Sequence, residues 1–159
     1  ENNLCHLWVD LDPGKPVWIE DESRMIGNVT LPEPMVENLS RSVMIRLNVD
    51  IAYRIARLVS DYARFDKSVL ASAIEKIRLR LGGTETNMAL EALRADDFNT
   101  VAEITLKYYD KAYLHTLERR RDLKIYDLET EDGHPHSAAQ KILEFVKSHA
   151  LHETDLLRL

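Results

Sequence analysis

The sequence predicts an α/β protein in which a parallel sheet carries a mainly helical insertion or lid. Short apolar runs of strand character alternate with amphipathic helical stripes as far as Asp66, and that alternation builds a parallel sheet. From Asp66 to Arg121 helix follows helix, before a strand pattern returns at Ile125. Size and composition agree: 159 residues, 45% hydrophobic and 30% charged, suffice for one domain with a real core.

Leu4, Leu7, Trp8 and Leu11 recur at spacings of three and four, the stripe of a helix over Asn3 to Leu11 that buries one face. Asp12-Pro13-Gly14-Lys15-Pro16 ends it, because proline cannot donate the helical hydrogen bond and glycine favours a turn. Val17-Trp18-Ile19 is a continuous apolar run, as in a strand covered on both faces. It leads directly into Glu20, Asp21, Glu22 and Ser23, placing polar groups at the carboxyl end of a strand, where α/β sheets present their chemistry. Leu31-Pro32-Glu33-Pro34 opens a short helix to about Leu39, since the first helical turn tolerates proline. Ser42 to Leu47 is a second strand, and Asp50 caps a helix whose stripe is Ile51, Ile55, Leu58, Val59 and Tyr62.

In the helical region Val69, Ile74, Ile77 and Leu81 share one broad face, ended by Gly82-Gly83, and Met88, Leu90 and Leu93 mark a shorter helix. Thr100 with Glu103 has capping-box spacing at the head of a long helix through Val101, Ile104, Tyr108 and Leu117. Ile125-Tyr126-Asp127-Leu128 alternates as a strand, Gly133-His134-Pro135 turns, and Ser137 with Gln140 caps a last helix to Val146. The expected organisation is one unit over 1–150, with 66–121 as the helical lid, and a tail at 151–159 without periodicity.

A net charge of -6 argues against a protein that coats nucleic acid by bulk electrostatics and leaves room for a local basic face. No apolar stretch approaches the roughly 20 residues needed to cross a bilayer, and Glu1-Asn2-Asn3-Leu4 lacks the features of a signal peptide. The expectation is a cytoplasmic chain with no membrane contact. Cys5 stands alone, so neither a disulfide nor a zinc knuckle supports the fold, and it reads as a small core residue.

Three clusters can carry chemistry. Glu20, Asp21 and Glu22 offer carboxylates able to hold a magnesium-bound water or act as a base. Ser23 adds a hydroxyl, and Arg24 a planar fork suited to phosphate oxygens. The plain alternative is a solvated turn with Arg24 paired to one acid. In Arg78-Leu79-Arg80-Leu81-Gly82-Gly83 the two arginines lie two apart and do not share a helix face, so one can be a surface charge while the other reaches a phosphate. The glycines terminate a helix first and approach a ligand second. Tyr108, Tyr109, Tyr113 and His115 precede Arg119, Arg120 and Arg121, a mixture of rings and cations able to grip RNA. The spacing of Tyr109, Tyr113 and Leu117 is also that of a core stripe. His134 and His136 flank a turn proline as surface residues. No phosphate-binding Gly-x-x-x-x-Gly-Lys-Ser/Thr, no Gly-x-Ser-x-Gly and no Cys-x-x-Cys occurs.

Taken in order, Pro16 to Arg24 with Ile26-Gly27, Leu31-Pro32, Arg78 to Gly83, Tyr108-Tyr109-Asp110 with Tyr113, and Leu117-Glu118-Arg119-Arg120 resemble the C-terminal part of the P-loop domain of tRNA 2-selenouridine synthases. The resemblance reaches to about Ala150. It implies a partial P-loop NTPase-like parallel sheet, lacking the phosphate loop and the rhodanese domain that precede it in the family. Family members replace the sulfur of wobble 2-thiouridine with selenium from selenophosphate, through a geranylated intermediate made from geranyl diphosphate. By that analogy Glu20 or Glu22 is the catalytic acid, and Glu20 or Asp21 holds Mg2+. Ser23, Arg24, Arg78 and Arg80 bind phosphate, and Arg119 to Arg121 meet the tRNA. A fragment of this kind is expected to be inactive alone, to need the missing segments as partners, and to be prone to homodimerise through an exposed strand. The competing expectation is a non-catalytic tRNA-binding or docking module of a split enzyme.

Overall fold

The computed structural model describes residues 2–12, 14–15, 17–21, 24–118, 124–130 and 132–149, without the side chains of 2–5. The protein is mixed α/β, mostly helical, with a short parallel two-stranded sheet. The chain divides into two compact units, one of Glu1–Asn48, Asp122–Glu129 and Pro135–Leu159, the other of Val49–Arg121 and Thr130–His134.

The first unit begins with helix α1 (Asn2–Val9). Leu7 is 68% exposed and Leu11 37%. The spacing correctly predicts a helix but not a buried face, because an apolar stripe is covered only where another element lies over it. Val17-Trp18-Ile19 is not a strand, contrary to the expectation, and Trp18 is 53% exposed. A strand exists only by pairing into a ladder, and none of the ladders among the described residues includes these three.

Instead a small hairpin forms just beyond them. Strands β1 (Met25–Ile26) and β2 (Val29–Thr30) pair antiparallel, Met25 with Thr30 and Ile26 with Val29. Gly27 takes φ +60 at the first turn position, the geometry that lets a two-residue loop follow the twist of its strands. Leu31 N–H donates to the Arg24 carbonyl at 2.9 Å and closes the hairpin. Helix α2 (Glu33–Arg41) follows, with Pro34 in its first turn.

Strand β3 (Met44–Val49) pairs with β4 (Ile125–Thr130). Asp127 accepts from Arg46 and Glu129 from Asn48, so both strands advance in the same direction and the pair is parallel. Alternation along the strands puts these four polar side chains on one face. On the other, Tyr126 meets Phe145 of helix α8 (Pro135–Ser148) edge to face at 5.2 Å, and Phe145 stacks on His149. Helix α8 starts at Pro135, which lies two residues before Ser137, so Ser137 is not its cap.

The second unit is helical. Asp50 caps α3 (Ile51–Tyr62) by accepting from Ala52 N–H at 2.8 Å, as its position predicts. Asp66 caps α4 (Lys67–Lys76) in the same way through Ser68. The predicted face running through Ile77 to Leu81 is broken at Ile77, and Arg78–Leu81 forms a separate short helix, α5. Gly82, at φ +101, joins it directly to α6 (Gly83–Arg94). The buried Thr86 hydroxyl donates to the Gly82 carbonyl at 2.6 Å, so the joint is fastened from below. Ile74, Ala89, Leu90 and Leu93 form the core, with Leu70, Leu81, Phe98 and Val101 around it. The long helix α7 (Phe98–Glu118) starts earlier than the Thr100 capping box predicts. Asp97 is the residue that accepts from Thr100, from its N–H at 3.1 Å and its hydroxyl at 2.6 Å.

Candidate functional site

Glu20 and Asp21 follow the irregular stretch 17–19 and not a strand end; Glu20 is exposed and Asp21 half-buried. Glu22 and Ser23 lie outside the described residues. Arg24 enters the hairpin and its guanidinium pairs with the Glu33 carboxylate in the first turn of α2. Its partner is therefore an acid nine residues away. Glu33 sits where the positive end of a helix favours an anion, and both side chains of the pair are more than half exposed. An exposed pair exchanges partners readily, because water screens it.

Arg78 and Arg80 belong to the second unit, on the four-residue helix α5. Arg78 donates from Nε to Glu75 at 2.6 Å and from Nη2 to the same carboxylate at 2.8 Å, while Asn87 accepts at 3.3 Å. That hydrogen-bonded pair holds the Glu75 carboxyl below the usual range and raises Arg78. Arg80 is exposed, with no ion pair to any described residue. Between them Leu79 is 99% exposed. Arg78 is thus held by Glu75, while Arg80 has no ion pair to a described residue.

On α7 the four-residue stripe ends in a buried Leu117, whereas Tyr109 is 56% exposed and Tyr113 39%. The tyrosines are thus only partly core residues. Arg119, Arg120 and Arg121 lie outside the described residues, and the side chain of Cys5 does as well. His134 and His136 are both exposed.

Among the described residues no three His, Cys, Asp or Glu side chains converge as a cation site. Magnesium asks less of a protein, commonly one or two carboxylates with water and substrate phosphate completing the shell. Glu20 and Asp21 are the described residues that the sequence reading assigns to such a shell. Among the described residues no helix is long and apolar enough to cross a membrane.

Two local features escaped the sequence reading. The polar face of the parallel pair joins Arg46 to Asp127 and Asn48 to Glu129, and its signal was the matched alternation of polar residues in both strands. The hairpin had a signal too, Gly27-Asn28 between Met25-Ile26 and the β-branched pair Val29-Thr30.

Residues 1–144 match the family model of the tRNA 2-selenouridine synthase AAA domain. The tRNA 2-selenouridine synthase of Marinobacter nauticus is 31% identical over 68% of this chain and 37% of its own length. That of Nitrosomonas europaea is 29% identical over 76% of this chain and 44% of its own length. For Shewanella frigidimarina the values are 29%, 68% and 37%. The chain spans less than half the length of these relatives. No solved structure matches significantly.

Proposed function

The chain belongs to the tRNA 2-selenouridine synthase AAA-domain family, and from that premise we propose that it is the later part of a P-loop domain in an enzyme converting wobble 2-thiouridine of tRNA to 2-selenouridine. The observation that carries this reading is the family match across 144 of its residues. In the proposed reaction a geranyl group from geranyl diphosphate is first placed on the sulfur with loss of diphosphate; selenium from selenophosphate then displaces the geranylated sulfur, which leaves as geranyl thiol, and hydrolysis of the P–Se bond releases phosphate. Expelling diphosphate requires cations and donors where its charge develops. Arg24 supplies one by leaving Glu33 for the phosphate. Ser23 adds a hydroxyl beside it, and Arg78 and Arg80 are proposed as phosphate ligands of the second unit in their own right.

Glu20 or Glu22 serves as the acid, and Glu20 or Asp21 carries Mg2+ with part of its water shell. Arg119 to Arg121 contact tRNA in the cytoplasm. The segments that the relatives possess beyond this chain supply the phosphate loop and the rhodanese domain. The chain alone is therefore inactive, and it pairs with a second copy of itself.

The test compares the 159-residue chain with the full-length protein, each given thiolated tRNA, with geranyl diphosphate and selenophosphate added separately. The full-length protein should form geranylated tRNA with the first donor and selenated tRNA when the second follows, while the chain alone forms neither. Absence of both products from the full-length protein would remove the proposal. Binding of tRNA by the chain should weaken steeply as salt rises, since phosphate contacts release counterions.

A further inference from the structure

In the second unit an apolar cavity of about 400 Å3 opens among α3, α4 and α7. Its deepest lining is Ile74, Ala102 and Leu106, all buried. The space exists because small residues stand where larger ones would fill it: Ala63, Ala73 and Ala102. Among the described residues that line it, none carries a carboxylate, amine, guanidinium or side-chain amide. The Thr105 hydroxyl is spent on the Val101 carbonyl at 2.9 Å. The Asp110 carboxylate, next in sequence to the lining Tyr109, is taken up by both guanidinium nitrogens of Arg54. Tyr62 and Tyr109, each more than half exposed, put the other hydroxyls of the described lining at the rim.

Cavities of this size lie within the roughly 300–1,000 Å3 range of small-molecule sites. A charged head group would find no partner inside, whereas each methylene gains by leaving water. We propose that this cavity binds the hydrocarbon chain of an amphiphilic ligand, whose polar end stays at the tyrosine rim. Under the function proposed above that chain is the geranyl tail. The tail's identity rests on that reading; selectivity for hydrocarbon rests on the cavity alone.

The test titrates the chain with N-phenyl-1-naphthylamine, which fluoresces in apolar surroundings, and displaces it with straight-chain alcohols from butan-1-ol to decan-1-ol. Displacement should strengthen about three- to fourfold per methylene until the cavity is full. Ala73→Phe, which fills the space from α4, should weaken probe binding at least about tenfold while helical circular dichroism is retained. Displacement that ignores chain length overturns the proposal, and this measurement on the unaltered chain decides even if the variant fails to fold. Wild-type probe binding in a folded Ala73→Phe overturns it as well. So does loss of the probe site in the full-length protein, which would assign the cavity to a covering protein segment. Displacement by alcohols but not by geranyl diphosphate overturns the tail's identity and supports the hydrocarbon site.

Discussion

Arg54 of α3 grips Asp110 of α7 with both ends of its guanidinium, Nη1 to Oδ2 at 2.9 Å and Nη2 to Oδ1 at 2.5 Å. The hydrogen bonds that Arg54 donates to Asp110 raise its pKa, against a burial that lowers it. The fork geometry is specific to arginine, so Arg54→Lys should lose most of what Arg54→Ala loses. Both side chains are about a third or more exposed, which limits the coupling to about 1 kcal/mol. A double-mutant cycle with Asp110→Asn by urea unfolding measures it. A coupling near zero would mean that the pair merely decorates the α3–α7 packing.

On the polar face of the parallel pair, the hydrogen bond from Arg46, with its charge and a weaker bond from Asn48, holds the Asp127 carboxyl below its ordinary 3.8. The native state therefore binds that proton less well than the unfolded chain. Its stabilisation is fully present above pH 3.8 and disappears as pH falls through the lower native value. Asp127→Asn should flatten the fall in Tm between that ordinary value and more acid solution. Some slope should remain, since Asp12, Asp66, Glu75 and Asp97 are shifted in the same direction. A pH profile of Tm superimposable on wild type would refute a role for this pair in acid stability.

The adjacent glycines of the α5–α6 joint should respond in opposite directions. Gly82 sits at φ +101, where an L side chain is strained, and a Cβ there would lie 2.6 Å from the Glu85 carboxylate. Glu85 is exposed and can move, so backbone strain dominates, and Gly82→Ala should cost about 1–3 kcal/mol. Gly83 begins α6 with open space around its Cβ direction. Gly83→Ala should stabilise by about 0.4–1 kcal/mol through the unfolded chain. Thermal unfolding of both variants checks the pair, and equal losses would contradict the assigned geometry.

Elements with strong local signals were legible from the residues alone. Asp50 before an amphipathic stripe, Pro34 in a first turn and the alternation at Ile125 to Leu128 each name their element, because caps, proline and period-two patterns act within a few residues. The start of α7 was misplaced by the Thr100 and Glu103 pattern, because Asp97 three residues earlier takes both the amide and the hydroxyl of Thr100. Val17-Trp18-Ile19 misled for a different reason: an apolar run states a preference for burial, not the presence of a partner strand. For the candidate site, the sequence marked Arg24 as a phosphate ligand or the partner of an acid. It could not show that the acid would be Glu33, because that contact depends on the hairpin that turns the chain back toward α2.

That same contact makes the phosphate role of Arg24 testable. In the full-length protein, Arg24→Ala should slow geranyl transfer by about a hundredfold, the usual loss when a donor to developing charge is removed. Glu33→Gln keeps the guanidinium and only loosens its resting partner, so transfer should stay within about threefold of wild type, with the affinity for geranyl diphosphate unchanged or higher. Because the pair is exposed, both variants should unfold within about 1 kcal/mol of wild type. If Glu33→Gln slows transfer as much as Arg24→Ala does, the guanidinium acts by fastening the hairpin to α2, and Arg24 is not a phosphate ligand. Single-turnover rates at saturating geranyl diphosphate, alongside its Kd, separate the two outcomes, since a lost phosphate contact lowers the rate of transfer itself.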